Sequence, residues 1–287
     1  MSNAVEVELR RIARKSGENF DEVLTKFLRE RFLYRVSISE YKNKVYLKGG
    51  TFLHAILPEK SRSTKDIDFL MEQTQNEIEE VKKVVIEILQ MDCEDGVSFD
   101  ISSIETSSIN EQGAYQGVQI RVKPIFNKKK RNYMKLEFGF GDIITPEAKD
   151  LSYPTYIEDL GIPIIKAYTV ESVIAEKFEA MISLGEASSR VKDLYDVNEL
   201  LESGNYKLED LRKAIYKTFD RRNTQLIPNP ALFEEEYYNE KRKNMWLSWL
   251  RKSSLDTNKD LNKVLENIKE NLEPIYKDYL SSRKPSQ

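Results

Sequence analysis

The tightest restriction on the fold of this chain lies in residues 48–69, KGGTFLHAILPEKSRSTKDIDF, where two glycines and a threonine stand ahead of two aspartates that straddle one isoleucine. Residues 44–48, KVYLK, read as a short strand that delivers the backbone into Gly49 and Gly50, and TFLHAIL reads as the helix that follows. With no side chain at either glycine to keep an anion away, the amides of that helix N-terminus can hold phosphate oxygens, and the Thr51 hydroxyl can add a hydrogen bond. The alternative is an ordinary tight turn. DIDFLM then alternates as a strand, which sends Asp66 and Asp68 to one face and Ile67 and Phe69 to the core. Two carboxylates so placed repel unless a cation lies between them, and a hard ion such as Mg²⁺ takes carboxylate oxygens together with substrate phosphates. The plainer reading is a strand with charged residues facing solvent.

The remaining pattern divides the chain into a mixed α+β half and a helical half. NFDEVLTKFLRERFLYRVS repeats its apolar residues at helical period with Asn19 as N-cap, and NEIEEVKKVVIEILQ is a second helix. VSFDIS, GVQIRVKPIF and YMKLEFGFGD have period two and are predicted to be antiparallel strands, with NKKKRN as a polar turn. LSYPTYIEDLGIPIIKAY reads as a proline-bearing connection, and from Thr169 onward the chain is mostly helical, with Trp246 and Trp249 sharing a helix face. Domains are expected over residues 1–160 and 161–287.

Function classes narrow by subtraction. Cys93 is the only cysteine, so an intrachain disulfide and a cysteine zinc cluster are excluded, and with His54 the only histidine, catalysis by a His pair or a Ser/His/Asp triad has almost no material. His54 is expected to pack beside Phe52, Leu53 and Ile56. The N-terminus lacks an apolar core of signal-peptide length and no eighteen apolar residues run together, so the expectation is a cytoplasmic protein without membrane insertion. A net charge of −3 gives no global pull toward nucleic acid. KKKR at 128–131 is either a solvated hairpin turn or a contact for an RNA backbone, and the tryptophan segment is either core or a stacking surface.

A third carboxylate stands in MKLEFGFGD, where Lys135, Glu137, Gly139 and Gly141 share the polar face opposite Leu136, Phe138 and Phe140. Three carboxylates from two strands beside a glycine turn are the parts that two-metal nucleotidyl transfer requires. Taken alone, Glu137 reads more readily as a solvated strand residue paired with a neighbouring lysine.

Together these elements resemble the polymerase-β nucleotidyltransferase superfamily, with its Gly-Gly/Ser turn, Asp-x-Asp strand and later acidic residue. KGGTFL with RSTKDIDF, and then ESVIAEKFEAM with SRVKDLYDV, resemble more narrowly the AbiEii/AbiGii toxin nucleotidyltransferases, over roughly residues 44–200. The resemblance implies a polymerase-β-like core, a mixed or antiparallel sheet flanked by helices, with a helical C-terminal domain contributing to the active-site cleft. It implies that Gly49, Gly50 and Thr51 contact the triphosphate, and that Asp66, Asp68 and, less directly, Glu137 hold Mg²⁺ or Mn²⁺. Lys177 and Asp193 would be catalytic, and Arg62, Ser63 and Lys192 would bind nucleotide. Asp196 would orient Lys192 or Arg190, whereas a bland reading makes Asp193 half of a surface pair with Lys192 or Arg190. The spacer of fourteen residues between Thr51 and Asp66 is longer than in minimal members. The implied reaction moves NMP from an NTP to a hydroxyl, with the 3′ end of tRNA as acceptor, in a toxin whose antitoxin is encoded nearby. The alternatives are a protein or small-molecule acceptor, or a non-catalytic nucleotide-binding module.

Overall fold

The computed structural model describes residues 2–64, 66–72, 77–110, 116–185 and 190–283, so Asn76 of the second predicted helix and Ser189 of the SRVKDLYDV motif lie outside the described residues. Two units emerge. The first comprises Met1–Ile56, Thr64–Gly141 and Lys149–Ala167; the second comprises Leu57–Ser63, Asp142–Ala148 and Tyr168–Gln287.

The first unit is built on a mixed sheet. Its strands are β1 (Val45–Lys48), β2 (Asp66–Met71), β3 (Val97–Asn110), β4 (Gln116–Phe126), β5 (Lys129–Lys130), β6 (Met134–Gly139), β7 (Lys149–Ser152) and β8 (Ile164–Ala167). Seven lie in the order β3-β4-β6-β2-β1-β8-β7, and β5 pairs with β4. β3, β4 and β6 are antiparallel, as their alternation predicts, but β2 runs parallel to β6, and β8 parallel to β1. The segment expected to be a connection supplies β8 and the last residues of β7. Strands of four residues, with Pro154 and Pro163 close by, carry too little alternation to stand out.

Helices α1 (Ser2–Ser16), α2 (Phe20–Ile38), α3 (Gly49–Ile56) and α4 (Ile78–Leu89) belong to this unit. The Asn19 side chain accepts from the Asp21 amide at 2.8 Å, which starts α2. Phe32 of α2 meets Phe69 and Phe99 edge-on, with ring centroids 6.1 and 6.4 Å apart, and Phe69 stacks on Phe138 at 5.3 Å. Ile67, Phe69, Leu136 and Phe138 are buried, so the apolar face of β2 and β6 is committed to the core and the other face is left for polar residues. Buried Arg35 adds a clamp, holding Asp95 at 2.7 Å and the Val97 carbonyl at 2.8 Å. α1 was not anticipated from the sequence; Val5, Leu9 and Ala13, four apart, form its buried stripe.

The second unit is helical: α5 (Val170–Leu184), α6 (Val191–Ser203), α7 (Leu208–Arg221), α8 (Glu240–Lys252) and α9 (Leu261–Arg283). Phe178, Phe219, Phe233 and Tyr276 form its aromatic centre. Trp246 is buried and donates to the Lys259 carbonyl at 2.8 Å, which settles its role as core. No helix among the described residues is long and apolar enough to cross a membrane.

Candidate active site

On the polar face of the sheet, register decides which side chains meet. Asp68 lies opposite Lys48 on β1 and Glu137 on β6, and Glu137 lies opposite Gln119 on β4. One residue pair along, Asp66 lies opposite Lys135, which lies opposite Arg121. Acidic and basic residues therefore interleave. The Lys135 ammonium sits 2.6 Å from Glu137 Oε1 and 3.4 Å from Asp66 Oδ2, and Gln119 donates to Glu137 at 3.2 Å. Burial disfavours the Lys135 charge, but Glu137 and Asp66 outweigh it and its pKa is raised.

The glycine turn meets this face at Asp68. Gly49 has φ +63°, and a β-carbon built on it would lie 2.0 Å from Asp68 Oδ2. Only glycine lets the carboxylate come so close to the start of α3. At Gly50 a β-carbon would meet the Thr64 side chain at 2.9 Å, so the loop returning to β2 also needs the missing side chain. Thr51 departs from expectation: it is fully buried and its hydroxyl donates to the Asp66 carbonyl at 3.0 Å. That hydroxyl fastens α3 to β2 and is withdrawn from any phosphate.

Glu137, expected less directly as a metal ligand, shares this polar face with Asp66 and Asp68. Among the described residues no three His, Cys, Asp or Glu side chains form a group able to hold a metal, and Glu137 is engaged by Lys135 and Gln119. Asp66 and Asp68 keep the chemistry a hard divalent ion needs. They are half-buried carboxylates on one strand face, beside an electron-rich neighbour already bridged by an ammonium.

The second unit holds the remaining predicted residues. Lys177 on α5 contacts Asp193 at 2.6 Å and Asp196 at 2.9 Å, both on α6. Arg190 reaches the other Asp193 oxygen at 2.5 Å, and Arg62 forks onto Asp196 at 3.2 Å. Asp193 is wholly buried, which rules out the surface-pair reading, and the partners of Asp196 are Arg62 and Lys177 rather than Lys192 or Arg190. Burial opposes ionisation of both Lys177 and Asp193. Mutual attraction prevails, raising the lysine pKa and lowering that of the aspartate. Lys177, Arg190 and Arg62 thus converge on the two carboxylates of Asp193 and Asp196. Lys192 and Ser63 are exposed. His54 is half-buried, and burial with nearby cations pushes its pKa down to about 4, so it is neutral at physiological pH.

Residues 31–270 match the family described as nucleotidyl transferase AbiEii toxin, type IV TA system. The chain belongs to the AbiEii toxin family. It is thus a nucleotidyltransferase with an NTP substrate, of the toxin type found in type IV toxin–antitoxin systems. A solved structure with a similar fold is MenT4, a nucleotidyltransferase toxin from Mycobacterium tuberculosis H37Rv, 18% identical with a TM-score of 0.51, over 98% of this chain and 99% of that one. No curated protein matches this AbiEii-family chain by sequence.

Sequence reasoning did not single out Lys48 or Gln119 for this site, nor the bridging by Lys135. Lys48 directly precedes the glycine turn, and its ammonium lies 3.5 Å from where a Gly139 β-carbon would be. Its position on the polar face of β1 was the available signal.

Proposed function

We propose that this AbiEii-family enzyme transfers NMP from an NTP to the 3′ hydroxyl of a tRNA, with Mg²⁺ held by Asp66 and Asp68. The juxtaposition that carries this reading is Asp68 pressed against Gly49 at the start of α3, with Asp66 on the same strand face. When bound, the ion supplies Lewis-acid neutralisation of phosphate charge. Gly49 and Gly50 bring backbone amides to the triphosphate without steric opposition. Lys135 limits the excess negative charge that Asp66, Asp68 and Glu137 build up on this face, and Lys48 adds a cation beside Gly139. In the second unit, Lys177, with Arg62 and Arg190 beside it, serves nucleotide phosphates, and exposed Lys192 adds a further cation. Asp193 holds Lys177 ionised and oriented for that role.

Incubation with labelled NTPs, Mg²⁺ and total tRNA tests the reading. Label is expected in the RNA, to be lost with EDTA and reduced at least about a hundredfold by Asp68→Ala, the scale on which removal of a transition-state electrostatic partner acts. Growth inhibition should disappear with the same substitution. Label entering only protein or small molecules would remove tRNA as acceptor. No transfer at all, with Asp68→Ala still inhibiting growth, would refute the mechanism.

A further inference from the structure

The proposed function leaves one feature of the first unit unused: residues 121–135 hold seven basic residues and no acidic one, in a chain whose net charge is −3. The sheet gathers them. Arg121 lies opposite Lys135, which is itself opposite Asp66, and Lys130 lies opposite Ile125, so Arg121, Lys123 and Lys130 share one face and the basic strip starts at the proposed metal ligands and runs along β4 to the hairpin tip. Five residues of strand span about 16 Å, the length of a few nucleotides. The acidic neighbours are few. Glu137 and Asp66 take Lys135 at 2.6 and 3.4 Å, Glu105 pairs with Arg121 at 2.8 Å, Asp100 with Lys130 at 2.6 Å, and Glu6 accepts from Asn127 and feels Arg131, five acids against seven basic residues. Positive charge therefore remains in excess. Tyr133 lies beneath Arg121 and Lys123, with the cations 4.3 and 4.7 Å from its ring centre, which props both side chains.

The turn itself is informative. Asn127 and Lys128 have φ of +51° and +60°, the left-handed pair of a tight hairpin. Glycine is favoured at the second position, yet this chain places an exposed lysine there, accepting backbone strain to hold a cation at the tip. Lys129 and Lys130 beside it are exposed as well.

We propose that this strip, from Lys135 through Arg121 and Lys123 to Lys130 and Lys128, is the track along which an RNA acceptor's phosphodiester backbone lies, its 3′ end directed to Asp66 and Asp68. This rests on the transferase reading above and names the surface that presents its substrate.

The test measures binding of a fluorescein-labelled single-stranded RNA twelve nucleotides long by anisotropy, across a salt series, using the full chain. Two variants are compared with the wild type: Lys128→Gly, and Lys128→Gly combined with Lys130→Gln. Each phosphate contact to single-stranded RNA contributes about 0.7 to the salt slope, so losing two lowers the slope by about 1.4 and weakens binding about 25-fold at 0.1 M salt. Lys128→Gly is also expected to raise the urea midpoint because it relieves the turn. Weaker RNA binding in a more stable protein is an outcome that a purely structural role for Lys128 does not produce. Calorimetry with Mg·NTP should give wild-type affinity in both variants. Unchanged RNA affinity and salt slope, with transfer to RNA intact, would overturn the track and leave the transferase standing. Wild-type protein that binds Mg·NTP but no RNA would also overturn it, whereas protein that binds neither would refute the transferase reading as well.

Discussion

Replacing Gly49 by alanine tests the link between backbone and chemistry most directly. Any L-residue at φ +63° carries left-handed strain of about 1–2 kcal/mol. Gly17 provides the matched control, since its φ is +75° and a β-carbon there meets nothing within 4 Å. Gly17→Ala should therefore cost only the strain. At Gly49 the added carbon would lie 2.0 Å from Asp68 Oδ2, whereas ordinary contact begins at 3.4 Å, so the carboxylate must retreat by the difference, about 1.4 Å. A displacement of that size at a reacting centre costs roughly a hundredfold in rate. Urea denaturation should show Gly49→Ala losing about 1–3 kcal/mol beyond Gly17→Ala, as overpacking does. Initial rates of nucleotide transfer should fall about a hundredfold for Gly49→Ala and stay near wild type for Gly17→Ala. Pairing Gly49→Ala with Asp68→Ala should recover only part of the extra stability loss, because the β-carbon at 68 still lies 2.8 Å from the added one, while leaving the enzyme inactive. Equal stability and equal rates for the two alanine variants would refute the claim that Gly49 exists to admit the Asp68 carboxylate.

Two further outcomes concern buried charge. Lys177→Met leaves Asp193 and Asp196 facing only Arg190 and Arg62, so the second unit should lose about 3–5 kcal/mol, the usual cost of breaking a buried ion pair from one side. The wild-type contribution has a defined window. Asp193, lowered from 3.8, contributes above that value and loses its contribution as pH falls through the folded pKa; Lys177, raised from 10.5, contributes below that value and loses its contribution as pH rises through its folded pKa. Urea midpoints of Lys177→Met should consequently differ most from wild type between these limits and converge outside them. Glu30 has the opposite sign: burial raises its pKa from 4.5 to about 8, despite its bond from the Tyr156 amide, so wild-type stability should decline across that interval. Glu30→Gln keeps an acceptor for the amide and should be more stable than wild type by ~1–3 kcal/mol at pH 8, with no advantage at pH 4. An advantage independent of pH would rule out ionisation as its cause.

What could be read from the sequence, and what could not, separates along the range of the interactions involved. Alternation in DIDFLM and MKLEFG is local, so the polar faces carrying Asp66, Asp68 and Glu137 were legible, as was the helix after Gly50. Pairing is not local. That β2 runs parallel to β6, with Asp68 opposite Glu137 and Asp66 opposite Lys135, depends on a register joining strands far apart in the chain. A lysine partner for Glu137 was legible, but not that the same Lys135 ammonium, two residues away on the strand, also reaches Asp66 across that register. Thr51 fails for a related reason. A hydroxyl one residue after a glycine turn looks free in sequence, and only the return of the chain to Asp66 uses it.

The helical residues carry the same lesson with the opposite result. Asp193 and Asp196 are three apart and so share one face of α6, which helical geometry makes legible. Exposed Lys192 and adjacent Arg190 looked like the natural partners of Asp196. The buried face instead turns to Lys177 of α5 and Arg62 of the 57–63 segment, cations 19 and 134 positions away, the first by the numbering and the second by the hydrogen-bond separation. A buried carboxylate must be paired, so Asp196 takes the cations that accompany it into the interior rather than those nearest in sequence. That requirement explains why Asp193 and Asp196 belong to one charge cluster with Lys177: it is the one cation that both buried carboxylates share, and its removal leaves each with a single arginine in place of two counter-charges.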